Sequence, residues 1–134
     1  MISLVIPGKP IHQPRLRHFV RGGVSCSFNP ASAERLRINE FLLKTHEGEK
    51  FNHPHLSFIF YFEIPKSFSK KKRLLYETEE VRHEAKPDVD NLIVFYMNRL
   101  DGIYFEGDQK VSLGPCYKFY GRAPRTEILI EEAT

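Results

Sequence analysis

Apolar positions along the chain alternate between strand-like and helix-like spacing. Residues 2–6 (ISLVI) read as a first strand, stopped by Pro7-Gly8 and by Pro10. Residues 19–28 carry a hairpin pattern with Gly22-Gly23 at its centre, where two glycines supply the positive φ angles of a tight turn. Asn29-Pro30 is a helix-start signal, a capping side chain followed by proline at the first helical position. That helix is expected to run to about Thr45, with Ile38, Phe41 and Leu42 on its buried face and Arg35 and Arg37 turned to solvent or phosphate. Residues 55–64 (HLSFIFYFEI) form the strongest strand signal, aromatic and β-branched at nearly every position, as expected for a central strand covered on both faces. After a basic run, LLYETEEV reads as a short helix or a mobile loop. A further helix is expected from near Asn91, stopped at Gly102. Residues 111–120 and 126–132 then look like a closing antiparallel pair around the turn at 121–124. The order predicts an α/β (α+β) class: one small domain over residues 1–134, a mixed β-sheet packed with two main helices.

Composition agrees with a folded domain of 134 residues, since 41% of them are hydrophobic and 13% aromatic. The net charge of +3 is too small to identify a nucleic-acid binder. Its distribution says more. No acid precedes Glu34, whereas Lys9, Arg15, Arg17 and Arg21 fall in that stretch, and Lys66, Lys70, Lys71, Lys72 and Arg73 form a second basic run. Clustered cations of this kind displace counterions from DNA, although a solvated basic face has the same composition. Two cysteines, Cys26 and Cys116, are too few for a disulfide framework and point to free thiols. The N-terminus lacks the apolar core of a signal peptide, and the run LIVFYM is far shorter than the ~20 residues of a membrane span. A soluble, cytoplasmic protein is expected, with no membrane partner.

The most informative stretch is KPDVDNLIVFYMNRLDGIYFEGDQKV, which places Asp88 and Asp90 two residues apart before a helix and returns with Asp108 one loop later. Were residues 88–90 extended, the period of two would put both carboxylates on one side. The loop at 103–107 is then expected to carry Asp108 back beside the start of the helix. Carboxylates gathered at one end of a helix repel unless a cation lies between them, and Mg²⁺ takes one or two carboxylates together with water and substrate phosphate. Taken alone, Asp-Val-Asp-Asn is better explained by an ordinary cap at Asp90, worth about 1 kcal/mol, beside an exposed loop acid. An EF-hand is disfavoured because Ile93 stands where the calcium loop needs glycine.

Beyond these acids the chain resembles the RusA family of Holliday junction resolvases, especially its phage and prophage branch. The resemblance is carried by Lys86-Pro87-Asp88-Val89-Asp90-Asn91-Leu92, by Leu100-Asp101-Gly102 and by Gly107-Asp108-Gln109. IPGKP near the start, Arg15 and Arg17, Asn29-Pro30 and IPKSFSKKKR match as well, so nearly the whole chain is covered in order. The resemblance implies a small α/β fold that dimerises, binds four-way DNA junctions and cuts two opposed strands with Mg²⁺, or with Mn²⁺ in its place. It implies roles in DNA recombination and repair, with Asp88, Asp90 and Asp108 as catalytic, metal-binding aspartates. Lys9, Arg15, Arg17, Lys70, Lys71, Lys72, Arg73 and Lys86 would hold the DNA, chiefly by its phosphates.

Three positions depart from the family pattern. Val94 stands where a lysine is expected one turn above Asp90, Gly107 replaces the first acid of an Asp-Asp pair, and Gln13 replaces an N-terminal lysine. Lys86 or Lys110 is the candidate to supply the missing positive charge. A junction-binding protein with a decayed site is the alternative, and a nuclease of different substrate on the same scaffold is a third. The histidines suggest less. His53 and His55 lack a third ligand and fit a loop and strand start. His12 and His18 could touch phosphate, and His83 near the acids is a weak candidate for a general base. The alternating Phe58, Phe60 and Phe62 fit a core better than a base-stacking platform.

Overall fold

The computed structural model describes residues 1–14, 17–28, 31–79 and 81–133, with the side chains at 17–19 and 26–28 left aside. Its main feature is a four-stranded sheet ordered β1-β6-β4-β5, where β1 is Ile2–Pro7, β4 Pro54–Glu63, β5 Ser112–Gly121 and β6 Arg125–Glu132. The hairpin is present as a separate two-stranded sheet of β2 (Arg17–Arg21) and β3 (Val24–Phe28). Its turn places Gly22 and Gly23 at φ 59° and 78°, the double positive turn that the sequence calls for.

Three helices complete the domain: α1 (Ser32–Thr45), α2 (Lys70–Glu77) and α3 (Val89–Leu100). The expected helix start at Asn29-Pro30 lies outside the described residues, and Ala31 precedes the first helical turn. Three helices rather than two arise because the basic run belongs to α2, where the Ser69 hydroxyl caps the Lys72 N–H at 3.2 Å.

Cross-strand register fixes which side chains share a face. Leu56, Phe58, Phe60 and Phe62 of β4, Ile128 and Ile130 of β6, and Leu4 and Ile6 of β1 point one way. They meet Ile38 and Leu42 of α1 and Leu92, Phe95, Tyr96 and Leu100 of α3 in one core. Each such side chain contributes about 1.5–3 kcal/mol by leaving water. Among the described residues the opposite face of the sheet carries no such core, so the expectation that β4 is covered on both faces is corrected. There Tyr117 stacks on Phe119, which meets Tyr61 at a tilt, with Arg125 3.7 Å over the Tyr61 ring and Arg82 5.1 Å over that of Tyr117. Aromatic rows shielded by guanidinium planes account for the β-rich sequence without a second layer of helices.

The closing pair also differs from expectation. β5 and β6 do not pair with each other. β4 lies between them, antiparallel to β6 and parallel to β5. The crossover through α2 and α3 returns the chain to the end where β4 began, which makes β5 a parallel neighbour. Residues 122–124 therefore step over the end of β4 instead of making a hairpin turn. Pro115, which has no N–H for a ladder, fits the edge position that β5 occupies.

Candidate active site

The antiparallel course of α3 against β4 and β5 brings its N-terminus to the end of the sheet where those strands finish. The helix begins at Val89, two residues earlier than predicted, and Asp88 is its N-cap, at φ −69° and ψ 148°. The extended Asp-Val-Asp arrangement is thus corrected: Asp88 is extended, while Asp90 already lies in the first helical turn. The reason is that Val89 and Asp90 can join the helix once Asp88 takes the capping position. Neither carboxylate is used up by the fold. Asp88 makes no capping bond and accepts from the Lys86 ammonium at 2.7 Å, and Asp90 accepts from the N–H of adjacent Asn91 at 3.0 Å. Both are exposed. The Lys86 hydrogen bond, with Lys118 more distant, holds the Asp88 carboxyl below the usual carboxylate range.

Beside Asp88 opens a cleft of about 760 Å³, walled in part by Lys9, His12, Glu63, His83 and Lys86. The N-terminal segment forms one side because it is laced to α3. The Gln13 N–H donates to the Asn91 carbonyl at 3.0 Å. The Ile11 N–H reaches the Tyr96 hydroxyl at 3.0 Å, and that oxygen also accepts from the buried Thr126 hydroxyl. Lys9 and His12 are thereby brought to the same opening as Asp88. Arg15 and the side chain of Arg17, expected to hold DNA, lie outside the described residues. Lys70, Lys71 and Lys72 crowd the first turn of α2, where no acid offsets the positive end of the helix. Arg73 ties that helix to the Pro65 carbonyl at 3.2 Å.

Asp108 is elsewhere. Asp101 caps the C-terminus of α3, Gly102 follows at φ 91°, and the Gly107 N–H returns to the Asp101 carboxylate at 2.9 Å. The loop therefore closes on the end of the helix and not on its start. Asp108 opens a short 3-10 turn, Asp108–Lys110, at that far end. Asp101 follows Asp90 by eleven helical rises, about 16 Å along the axis. Among the described residues no group of three His, Cys, Asp or Glu side chains is placed to hold a metal ion. Lys110 shares the far end with Asp108, which leaves Lys86 as the one of the two proposed charges in contact with Asp88. Gly107 sits at φ 88°, a backbone that disfavours any acid in its place, and neighbouring Glu106 pairs with Lys50.

The folded chain settles the surroundings of two further side chains. His83 is 7% exposed, stacked on Phe62 at 4.2 Å and against Tyr120 at 4.7 Å, with its Nδ1 unpartnered. Burial, reinforced by the charge of Lys118, drives its pKa down to about 4, so it is a neutral ring in the cleft wall. Lys118 reaches the segment before Asp88 from β5. Alternation along β5 marks it as inward-facing, but only the parallel pairing with β4 shows what it meets. His55 is held by Ser112 at 2.8 Å, in keeping with a structural role at a strand start.

The profile of the endodeoxyribonuclease RusA family matches residues 7–131, almost the entire chain. The chain belongs to the RusA endodeoxyribonuclease family. It is also 30% identical over 138 residues to the uncharacterized protein YqaN of Bacillus subtilis (strain 168), covering 99% of this chain and 97% of that protein. The cap expected at Asp90 falls instead at Asp88, whose side chain makes no capping bond. No helix among the described residues is long and apolar enough to cross a membrane.

Proposed function

We propose that this RusA-family chain is a Mg²⁺-dependent, structure-specific endonuclease that resolves four-way DNA junctions by paired hydrolysis in recombination and repair, acting as a homodimer. The observation that carries the reading is the exposed carboxylate of Asp88, free of a capping bond and lining a cleft with Lys9 and Lys86, with the exposed Asp90 in the first turn of the helix that Asp88 begins. Two hard oxygen donors open to solvent suit Mg²⁺, which needs only one or two protein carboxylates and keeps its remaining positions for water and phosphate. When bound, the ion supplies polarisation of a phosphoryl oxygen and a water of lowered pKa. Asp88 and Asp90 hold and orient, Lys9 and Lys86 draw the backbone phosphates into the cleft, and the lysines of α2 extend the grip.

A homodimer also gives Asp108 a place. Two copies related by a two-fold axis across α3 set the start of one helix against the end of the other, so that Asp108 of a second copy completes the acidic set. Two such composite sites then face the two opposed strands of a junction. A second reading, a junction-binding protein with a decayed site, is favoured by one observation: no three-acid group forms among the described residues.

Incubating the protein with a synthetic four-way junction and a linear duplex, with and without Mg²⁺, separates these. Paired, metal-dependent nicks on the junction alone are expected. Tight junction binding without cuts would favour the decayed form, and cutting of the linear duplex would point to another substrate.

A further inference from the structure

Lys118 stands on the helix-covered face of β5, opposite Phe60 and between Cys116 and Tyr120 on the same face. An apolar side chain is the ordinary occupant of such a position, and an ammonium there must have its hydrogens taken up. Two of its three are: the Lys118 Nζ donates to the Ala85 carbonyl at 2.6 Å and to the Pro87 carbonyl at 2.6 Å. The Lys118 carbonyl in turn accepts from the His83 N–H at 2.9 Å, and Arg82 bridges to Phe119. Main chain and side chain of one residue thus lay the segment 82–87 along the strand, and the next residue is Asp88. Hydrogen bonds from a charged donor are the stronger kind. Lys86, by contrast, has a side chain 84% exposed, and an ion pair between exposed groups holds little.

We infer that Lys118 is the positioning residue for Asp88: by gripping the Ala85 and Pro87 carbonyls it fixes where the carboxylate is presented, and it keeps a positive charge near the site although position 94 carries valine. The charge of Asp88 acts on Lys118 in the expected sense, opposing the effect of burial on the ammonium. The purpose of the arrangement rests on the cleavage reading above, whereas the mechanical part stands without it.

Hydrogen exchange of metal-free, DNA-free protein, followed by mass spectrometry of peptides covering residues 83–90, tests the mechanical part. Lys118→Met should exchange there about tenfold faster or more than wild type, while Lys118→Arg, which can also donate twice, should stay within about threefold and Lys110→Met should match wild type. Unchanged exchange in Lys118→Met, or Lys118→Arg no better than Lys118→Met, would overturn the inference. Should Lys118→Met not fold, Lys118→Gln carries the same comparison, with an intermediate loss expected and no loss overturning it. On four-way junctions with Mg²⁺, Lys118→Met is expected to lower kcat about tenfold with little change in KM. If the wild type cuts no junction yet exchange behaves as stated, the cleavage reading fails and the positioning role survives. If the wild type cuts and Lys118→Met cuts equally well with unaltered exchange, the positioning role fails alone.

Discussion

The two ends of α3 carry similar residues to different effect. At the start, Asp88 and Asp90 are exposed and, among the described residues, bonded to a surface lysine and a neighbouring amide, and Asp88 lines a cleft with a basic rim. At the finish, the Asp101 carboxylate is consumed by the Gly107 N–H, and Gly102 and Gly107 both need positive φ to turn the chain back. One end keeps its acids available, and the other uses an acid to build a loop. An Asp at a helix terminus is therefore no guide to chemistry until its hydrogen-bond partners are counted.

Removing acids from the available end should break this contrast most severely. Asp88→Asn or Asp90→Asn is expected to lower junction cleavage by a factor on the order of a hundred to a thousand, with junction affinity measured without metal almost unchanged. Cleavage within a fewfold of wild type in both variants would move the reacting centre away from the start of α3.

Adding an acid to the structural end should do the reverse. Gly107→Asp restores the acid pair of the family pattern but forces a side chain onto a backbone at φ 88°, and its Cβ would come within 2.5 Å of the Gln109 carboxamide. A loss of about 1–3 kcal/mol in unfolding free energy is expected, with no gain in cleavage. A stable variant of higher turnover would show that Gly107 marks a lost catalytic acid.

The sequence made the strands, the hairpin, α1 and α3 legible, because the faces of an element are written in its own spacing. It did not reveal that β5 lies beside β4, since period-two alternation says which side chains share a face and nothing about which strand is the neighbour. The position of Asp108 was lost for a related reason: the path of residues 102–107 depends on the Asp101 side chain closing the loop. The same limit hid Lys118, whose partners are carbonyls more than thirty positions away. The acids at Asp88 and Asp90 were legible because their spacing matches a family motif. Their freedom from capping bonds was not.

A smaller effect concerns the cleft wall. Burial keeps the folded-state pKa of His83 near 4, against 6.5 for a free histidine, so as pH falls the unfolded chain takes up the proton first. The contribution is complete above pH 6.5 and is lost progressively on going down to about 4, with a slope of up to about 1.4 kcal/mol per pH unit. His83→Phe, which can still stack on Phe62 and Tyr120, should remove that part of the pH dependence in denaturant titrations. An unchanged profile would mean that the ring is not held neutral.

The account depends most on the proposal that the two ends of α3 meet in one site only through a second copy of the chain. Mixing Asp88→Asn protein with Asp108→Asn protein tests it, because a mixed dimer has one site lacking both acids and one site intact. Each variant alone should fail to cut a four-way junction, and the equilibrated mixture should recover Mg²⁺-dependent nicking at about a quarter of the sites of wild type. A mixture as inactive as its components, or an Asp108→Asn protein that cuts unaided, would contradict it.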